Sequence, residues 1–337
     1  MPFRDVIGHR RIVALLARSI ARESLPPSLI FTGPAGVGKR LTALAVAQAL
    51  NCLAPTSTAA FEIDACGACA ACTRIARGVH PDVLIVEPGD NGSIKVDQVR
   101  ELIDRAAYRP FEGRRRAVII DEADALVTAA QNALLKTLEE PPSRSVFTLV
   151  TARPDALLPT VRSRCPRLAF RPLPAHDIAA ALVARGHGEA DARAVAATAD
   201  GSLGQALEAS AGELVAARDV AQHVLAQAAA GGAPGRRIES AKDLLTKTGA
   251  GGAGDRQQLA AHLRAMASLL RDLELLSTRA DARALANPDV QPALERLTDA
   301  YRGERGVRAF TAVDRALVAL ERNASVKIVA DWLVLQL

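Results

Sequence analysis

Aromatic residues are scarce: the 337-residue chain holds seven Phe, two Tyr and one Trp, 3% in all. A surface that reads single strands by stacking bases needs many rings, so composition argues against that class. No run of about 18 apolar residues occurs, which leaves no segment for a transmembrane helix. Met1 to Asp5 lack the apolar stretch of a secretory signal, so a cytoplasmic protein with no membrane association is expected. The excess of positive charge is small, 42 Lys+Arg against 37 Asp+Glu. It permits contact with DNA or an acidic partner without specifying either. It is also uneven. Residues 1–170 carry 22 basic and 17 acidic side chains, and residues 171–337 carry 20 of each.

Hydrophobic residues make up 49% and charged residues 23%, the balance of a soluble globular chain. The length suits two or three domains, and a core of Ala, Leu, Val and Ile suits helices. Ser28–Thr32, Val83–Val86, Ala117–Ile120 and Val146–Val150 read as buried strands. Helical spacing over Leu41–Leu50, Val96–Ala107 and Ala129–Leu138 separates them, and Pro141-Pro142 closes the last of these. Alternating strands and helices predict an α/β domain with a parallel sheet. After Pro172 and Pro174 the pattern is helical, with loops expected at Gly231–Gly235 and Gly249–Gly254.

Between the first strand and its helix stands Gly33-Pro34-Ala35-Gly36-Val37-Gly38-Lys39. Glycines let backbone N–H groups curl around phosphate oxygens. The lysine reaches the terminal phosphates, and the helix N-terminus adds its dipole. The next position should carry a hydroxyl for Mg²⁺, but it is Arg40. Asp121-Glu122 follows the third strand, where an aspartate helps hold Mg²⁺ and a glutamate polarises water. The bland alternative is an acidic helix start.

Cys66, Cys69 and Cys72 form C-x2-C-x2-C, and Cys52 lies upstream with 13 residues between. Four thiolates complete a tetrahedral, closed, structural zinc site. An iron–sulfur cluster, a redox pair and simple buried thiols are the alternatives. His80 is a rival ligand in a turn, and Cys165 reads as a core thiol.

The order of phosphate loop, four-cysteine insertion, acidic strand end and Ser163-Arg164-Cys165 resembles the bacterial DNA polymerase III clamp loader subunits of the AAA+ superfamily. The resemblance has distinct motifs over residues 1–210 and continues, more weakly, to a final helix after Asn323. Val79–Asp82, Ser93–Arg100, Asn132–Pro142 and Leu158–Cys165 look most like the delta prime branch, for which a chain without tau's long extension is expected. Parts of these motifs are shared with gamma/tau.

The resemblance implies an AAA+ domain at 1–170, a small helical lid at 171–208 and a helical collar at 209–337. It implies a stator within a five-subunit ring that places the sliding clamp on primer–template DNA, with gamma/tau and delta as partners. It makes Arg164 an arginine finger for a neighbour's ATP site; without it, Arg164 is one more surface arginine. Gly33, Gly36, Gly38, Lys39, Arg40, Asp121 and Glu122 would line this chain's own nucleotide site. Arg40 replaces the metal-binding hydroxyl, Gly204 stands where an active subunit carries the sensor 2 arginine, and sensor 1 falls at Thr151-Ala152. The expectation is a P-loop that hydrolyses ATP poorly. The competing reading is an active gamma/tau-like ATPase motor, and a third is a zinc-dependent DNA-binding module.

Overall fold

The apolar runs form strands because they are buried on both faces, as parallel strands under two helical layers must be. The structure is a computed structural model that describes all residues except 90, 200, 209–210, 232–233, 246–251, 279–284, 286, 288–289 and 322–323. The chain divides into two compact units, Met1–Leu173 and Pro174–Leu337.

In the first unit the order is α1 (Arg10–Ala21), β1 (Ser28–Thr32), α2 (Lys39–Asn51), α3 (Ala70–Ala76), β2 (Val83–Val86), α4 (Val96–Ala107), β3 (Arg116–Ile120), α5 (Thr128–Glu139), β4 (Ser145–Thr151), α6 (Pro159–Arg162) and β5 (Arg167–Ala169). The sheet order is β2-β3-β4-β1-β5 and every pairing is parallel, with Phe31 opposite Val150 and Ile119 opposite Thr148.

Strand alternation sorts the side chains onto two faces. Leu29, Phe31, Ala117, Ile119, Val146 and Val150 pack with α1 and α2. Ile30, Val118, Ile120, Phe147 and Leu149 pack with α4 and α5 on the other face. On α4 the buried residues are Val99, Leu102 and Ala106, the stripe of an amphipathic helix. Four elements were not singled out by the sequence pattern: α1, α3, α6 and β5. Helix α1 buries Val13, Leu16, Ala17 and Ile20. Strand β5 is three residues long and pairs along β1. It exists through that pairing, since three residues carry no readable period.

The second unit is helical: α7 (Ala175–Val183), α8 (Glu189–Thr198), α9 (Leu203–Glu208), α10 (Ala211–Ala229), α11 (Pro234–Leu244), α12 (Gly252–Ser277), α13 (Gln291–Glu295), α14 (Glu304–Glu321) and α15 (Val326–Gln336). Leu259, Leu263, Met266, Leu270 and Leu273 place α12 at the centre of its core. Tyr301 is buried there and its hydroxyl donates to the Leu225 carbonyl at 2.8 Å.

One loop expectation is corrected. Gly252–Gly254 belong to the first turn of α12, a 26-residue helix. Glycine is a poor helix former, but the long apolar face of α12 outweighs that. Residues 249–251 lie outside the described residues. In the other glycine-rich stretch, Gly231 ends α10 with φ 71° and α11 resumes at Pro234, while 232–233 are not described. Asn323 also lies outside the described residues; α15 begins after Ser325.

Candidate nucleotide site and metal centre

The carboxyl ends of the parallel strands converge on one edge of the sheet, where α/β folds bind ligands. The loop after β1 is the phosphate loop. Gly33, Gly36 and Gly38 have φ of 140°, 72° and 102°, the left-handed range that favours glycine. At Gly33 a Cβ would meet the Phe170 carbonyl oxygen at 2.2 Å, so close backbone packing also demands glycine. Lys39 opens α2 and is buried. Its Nζ donates to the carbonyls of Gly33 at 2.6 Å and Pro34 at 2.5 Å. Burial pushes the Lys39 pKa down, against the opposing pull of Asp121 and Asp124.

Arg40, the departure from the P-loop pattern, lies across the acidic ends of the neighbouring strands. Its Nη1 donates to Asp121 Oδ2 at 3.0 Å, and its Nη2 donates to Glu87 Oε1. Asp121 Oδ1 accepts the Glu122 N–H at 3.1 Å. Thr42, the next hydroxyl along α2, donates to the Gly38 carbonyl at 2.9 Å. Mg²⁺ therefore does not fit this arrangement. The Arg40 guanidinium sits on Asp121 Oδ2, and position 40 offers no hydroxyl to a metal.

Glu122 follows in a left-handed conformation, φ 47°. Its pKa is raised by burial and by the charges of Asp121, Asp124 and Glu87. Asp124 is clamped from the end of β4. Thr151 Oγ1 donates to it at 2.8 Å and Arg153 Nε at 3.0 Å. The Thr151 hydroxyl at the end of β4 is thus spent on Asp124. Glu87 and Arg153 were not singled out by the sequence reading. The signal for Glu87 was present: it follows β2 as Asp121 follows β3, on the adjacent strand.

The four cysteines come together at the far end of α2. One ligand sulfur from each of Cys52, Cys66, Cys69 and Cys72 lies within 4.8 Å of the others. Cys52 Sγ and Cys69 Sγ are 4.0 Å apart, and all are free thiols. Four sulfurs at about 2.3 Å from one tetrahedral ion stand about 3.8 Å apart. The cage fits a single metal ion; a cluster of several irons needs a wider one.

Backbone N–H groups point at the sulfurs, Cys66 N to Cys52 at 3.2 Å and Cys69 N to Cys66 at 3.3 Å. Although burial opposes ionisation of Cys69, N–H groups of Cys72 and Leu53 and neighbouring thiols bring its pKa down to about 6. Asp64 braces the cage. It accepts Phe3 N at 2.6 Å and the Arg4 guanidinium at 3.1 Å, and Arg4 also donates to the carbonyls of Ala65 and Cys66. The 13-residue α2 sets the cage about 20 Å from the phosphate loop, so the two are separate sites.

His80 is not part of the cage. Its Nδ1 accepts the Asp82 N–H at 3.1 Å, and Nε2 faces Glu112 at 3.4 Å. Cys165 is a buried thiol, with its pKa pushed up to about 11 by burial. Arg164 sits just past α6, at the surface, and is paired with Glu139. Gly204 lies in α9 of the second unit.

Residues 8–174 match the sequence profile of the family described as DNA polymerase III, delta subunit. The DNA polymerase III subunit gamma/tau of Mycobacterium tuberculosis is 37% identical over 181 residues, 53% of this chain and 30% of that protein. The DNA polymerase III subunit delta' of Pseudomonas aeruginosa is 40% identical over 162 residues, 48% of each chain. The chain thus spans about half, or less, of the curated relatives it matches. A solved gamma subunit-related protein from Thermotoga maritima has 18% identity and a TM-score of 0.46, over 95% of this chain and 96% of that one. No helix among the described residues is long and apolar enough to cross a membrane. Over residues 8–174, just under half of its length, the chain is thus similar to the DNA polymerase III delta family and to the gamma/tau and delta' subunits of that polymerase, the clamp loader subunits.

Proposed function

We propose that this chain is a delta prime-like stator of the clamp loader. In this reading it helps place the sliding clamp on primer–template DNA, in the cytoplasm, beside gamma/tau and delta subunits. It does not turn over ATP efficiently by itself. The observation that carries the reading is the Arg40–Asp121 ion pair, which sets a guanidinium where a motor subunit needs its metal. Its contribution to turnover would be made in trans. Arg164 would leave Glu139 to reach the phosphates in a neighbour's site, a role worth roughly 10³–10⁵ in rate elsewhere. The four-cysteine cage would hold zinc, which suits thiolate ligands and closed tetrahedral geometry. Residues 171–208 would act as the lid and 209–337 as the collar that joins subunits.

The retained Lys39 and Glu122, with the 37% identity to gamma/tau, favour an active motor as the second reading. ATP turnover by the purified chain with Mg²⁺, alone and reconstituted with gamma/tau and delta, separates the two. The stator reading expects negligible turnover alone and stimulated turnover in the complex. Steady hydrolysis by the isolated chain, abolished by Lys39→Ala, would overturn it in favour of the motor.

A further inference from the structure

The two halves of this nucleotide site have diverged. On the metal half, Arg40 holds Asp121 at 3.0 Å and also holds Glu87, and the second Asp121 oxygen takes the Glu122 N–H. A guanidinium has no lone pair to offer a cation. Its fixed charge also repels a divalent ion from the carboxylate they would share. On the phosphate half, the three left-handed glycines are retained, and Lys39 lies buried within the loop. Helix α2 starts there with no acidic residue in its own first turn, so no carboxylate of the helix itself offsets the positive end of its dipole. The anion cradle remains, and a side-chain cation stands beside it.

We infer that this P-loop takes a nucleoside polyphosphate as the metal-free anion, with Arg40 supplying the positive charge that Mg²⁺ supplies in other P-loop sites. The inference rests on the nucleotide site of the AAA+ reading and not on the stator role. On binding, Lys39 exchanges the carbonyls of Gly33 and Pro34 for phosphate oxygens. Arg40 stays tethered by Glu87 and Asp121, and these two bonds leave three of its five N–H groups for the anion. Metal independence and poor turnover then share one cause, because the same guanidinium that attracts phosphate keeps Asp121 from a metal.

The test is a titration of the full chain with a fluorescent nucleoside diphosphate and triphosphate, in resin-treated buffer without divalent ions and again with excess Mg²⁺. Chelators are left out because they would also strip the four-cysteine cage. Wild-type affinity without Mg²⁺ is expected to equal or exceed that with it. Arg40→Thr, which returns a hydroxyl, should lose about tenfold or more in metal-free buffer and recover with Mg²⁺. Arg40→Lys keeps a charge and should keep metal independence. Wild-type binding that weakens about tenfold without Mg²⁺ would overturn the inference. So would no binding in either buffer, or binding that survives Lys39→Ala. Should Arg40→Thr fail to fold, wild type and Arg40→Lys still decide the question. ATP hydrolysis by the isolated chain is a separate readout that tests the stator role.

Discussion

Arg164 gives two hydrogen bonds to one oxygen of Glu139, from Nη2 at 3.2 Å and from Nε at 3.3 Å, and a third to the Thr160 carbonyl at 2.9 Å. The side chains are 32% and 60% exposed. An ion pair this open is screened and contributes little to stability. It holds the guanidinium at the end of α5 with little net stabilisation.

Arg164→Ala should therefore leave folding and ring assembly unchanged and depress ATPase of the reconstituted complex by about tenfold or more. Arg164→Lys should not restore it, because a lysine lacks the planar fork of donors. Steady-state ATPase with size-exclusion assembly checks both. Unchanged turnover for Arg164→Ala would remove the finger role.

The cage should carry one zinc per chain, measured by elemental analysis on protein purified without chelators. Replacing Cys69 by Ser should release the metal and lower the melting temperature of the first unit, since metal binding supplies folding free energy. Loss of the metal should not abolish nucleotide binding, because α2 separates the two sites. Finding iron, or no metal, would refute the zinc assignment.

Asp82 is fully buried and accepts N–H groups of Phe111 at 2.7 Å, Glu112 at 2.9 Å and Gly113 at 2.8 Å, together with the buried Arg116 at 2.9 Å. Burial disfavours its charge, yet these donors bring its pKa from 3.8 down to about 2. A depressed carboxylate stabilises the fold above its unfolded pKa and loses that contribution as pH falls through the folded value. Asp82 thus contributes on the order of 2 kcal/mol, and the loss should fall between about pH 4 and pH 2. Asp82→Asn leaves Arg116 unpaired and should cost about 3 kcal/mol or more at neutral pH. Chemical unfolding of the variant, followed against pH, should show a flattened acid limb.

Tyr301 has the opposite sign. Burial raises its pKa from 10 to about 12, which nearby Arg305 and Arg237 only partly offset. Its contribution is fully present below pH 10 and is lost as pH rises toward about 12. Tyr301→Phe leaves the Leu225 carbonyl without this donor and should cost about 1 kcal/mol at neutral pH. It should also remove that part of the alkaline loss, as thermal melts across pH will show.

Much of the first unit was legible because its strands are continuous apolar runs and its helices have strong stripes. Ser28–Thr32, Val83–Val86 and Val96–Ala107 match the strand and helix bounds. Strand β5 was not legible, since its existence depends on pairing with β1 and its side chains are mostly exposed. Gly252–Gly254 misled in the other direction, because a local signal for a break was overruled by the packing of the rest of α12.

The local spacing of residues determined the phosphate loop, the acidic strand end and the cysteine cage, because each is built from neighbours along the chain and its chemistry follows from residue type. Sequence also identified Arg40 as the residue that cannot hold a metal. Where that guanidinium goes was decided by the tertiary structure. Parallel pairing of β2 with β3 puts Glu87 beside Asp121, and α2 leads Arg40 onto both carboxylates. Residues 40, 87 and 121 are far apart in sequence, so only the folded sheet gives them a common charge balance.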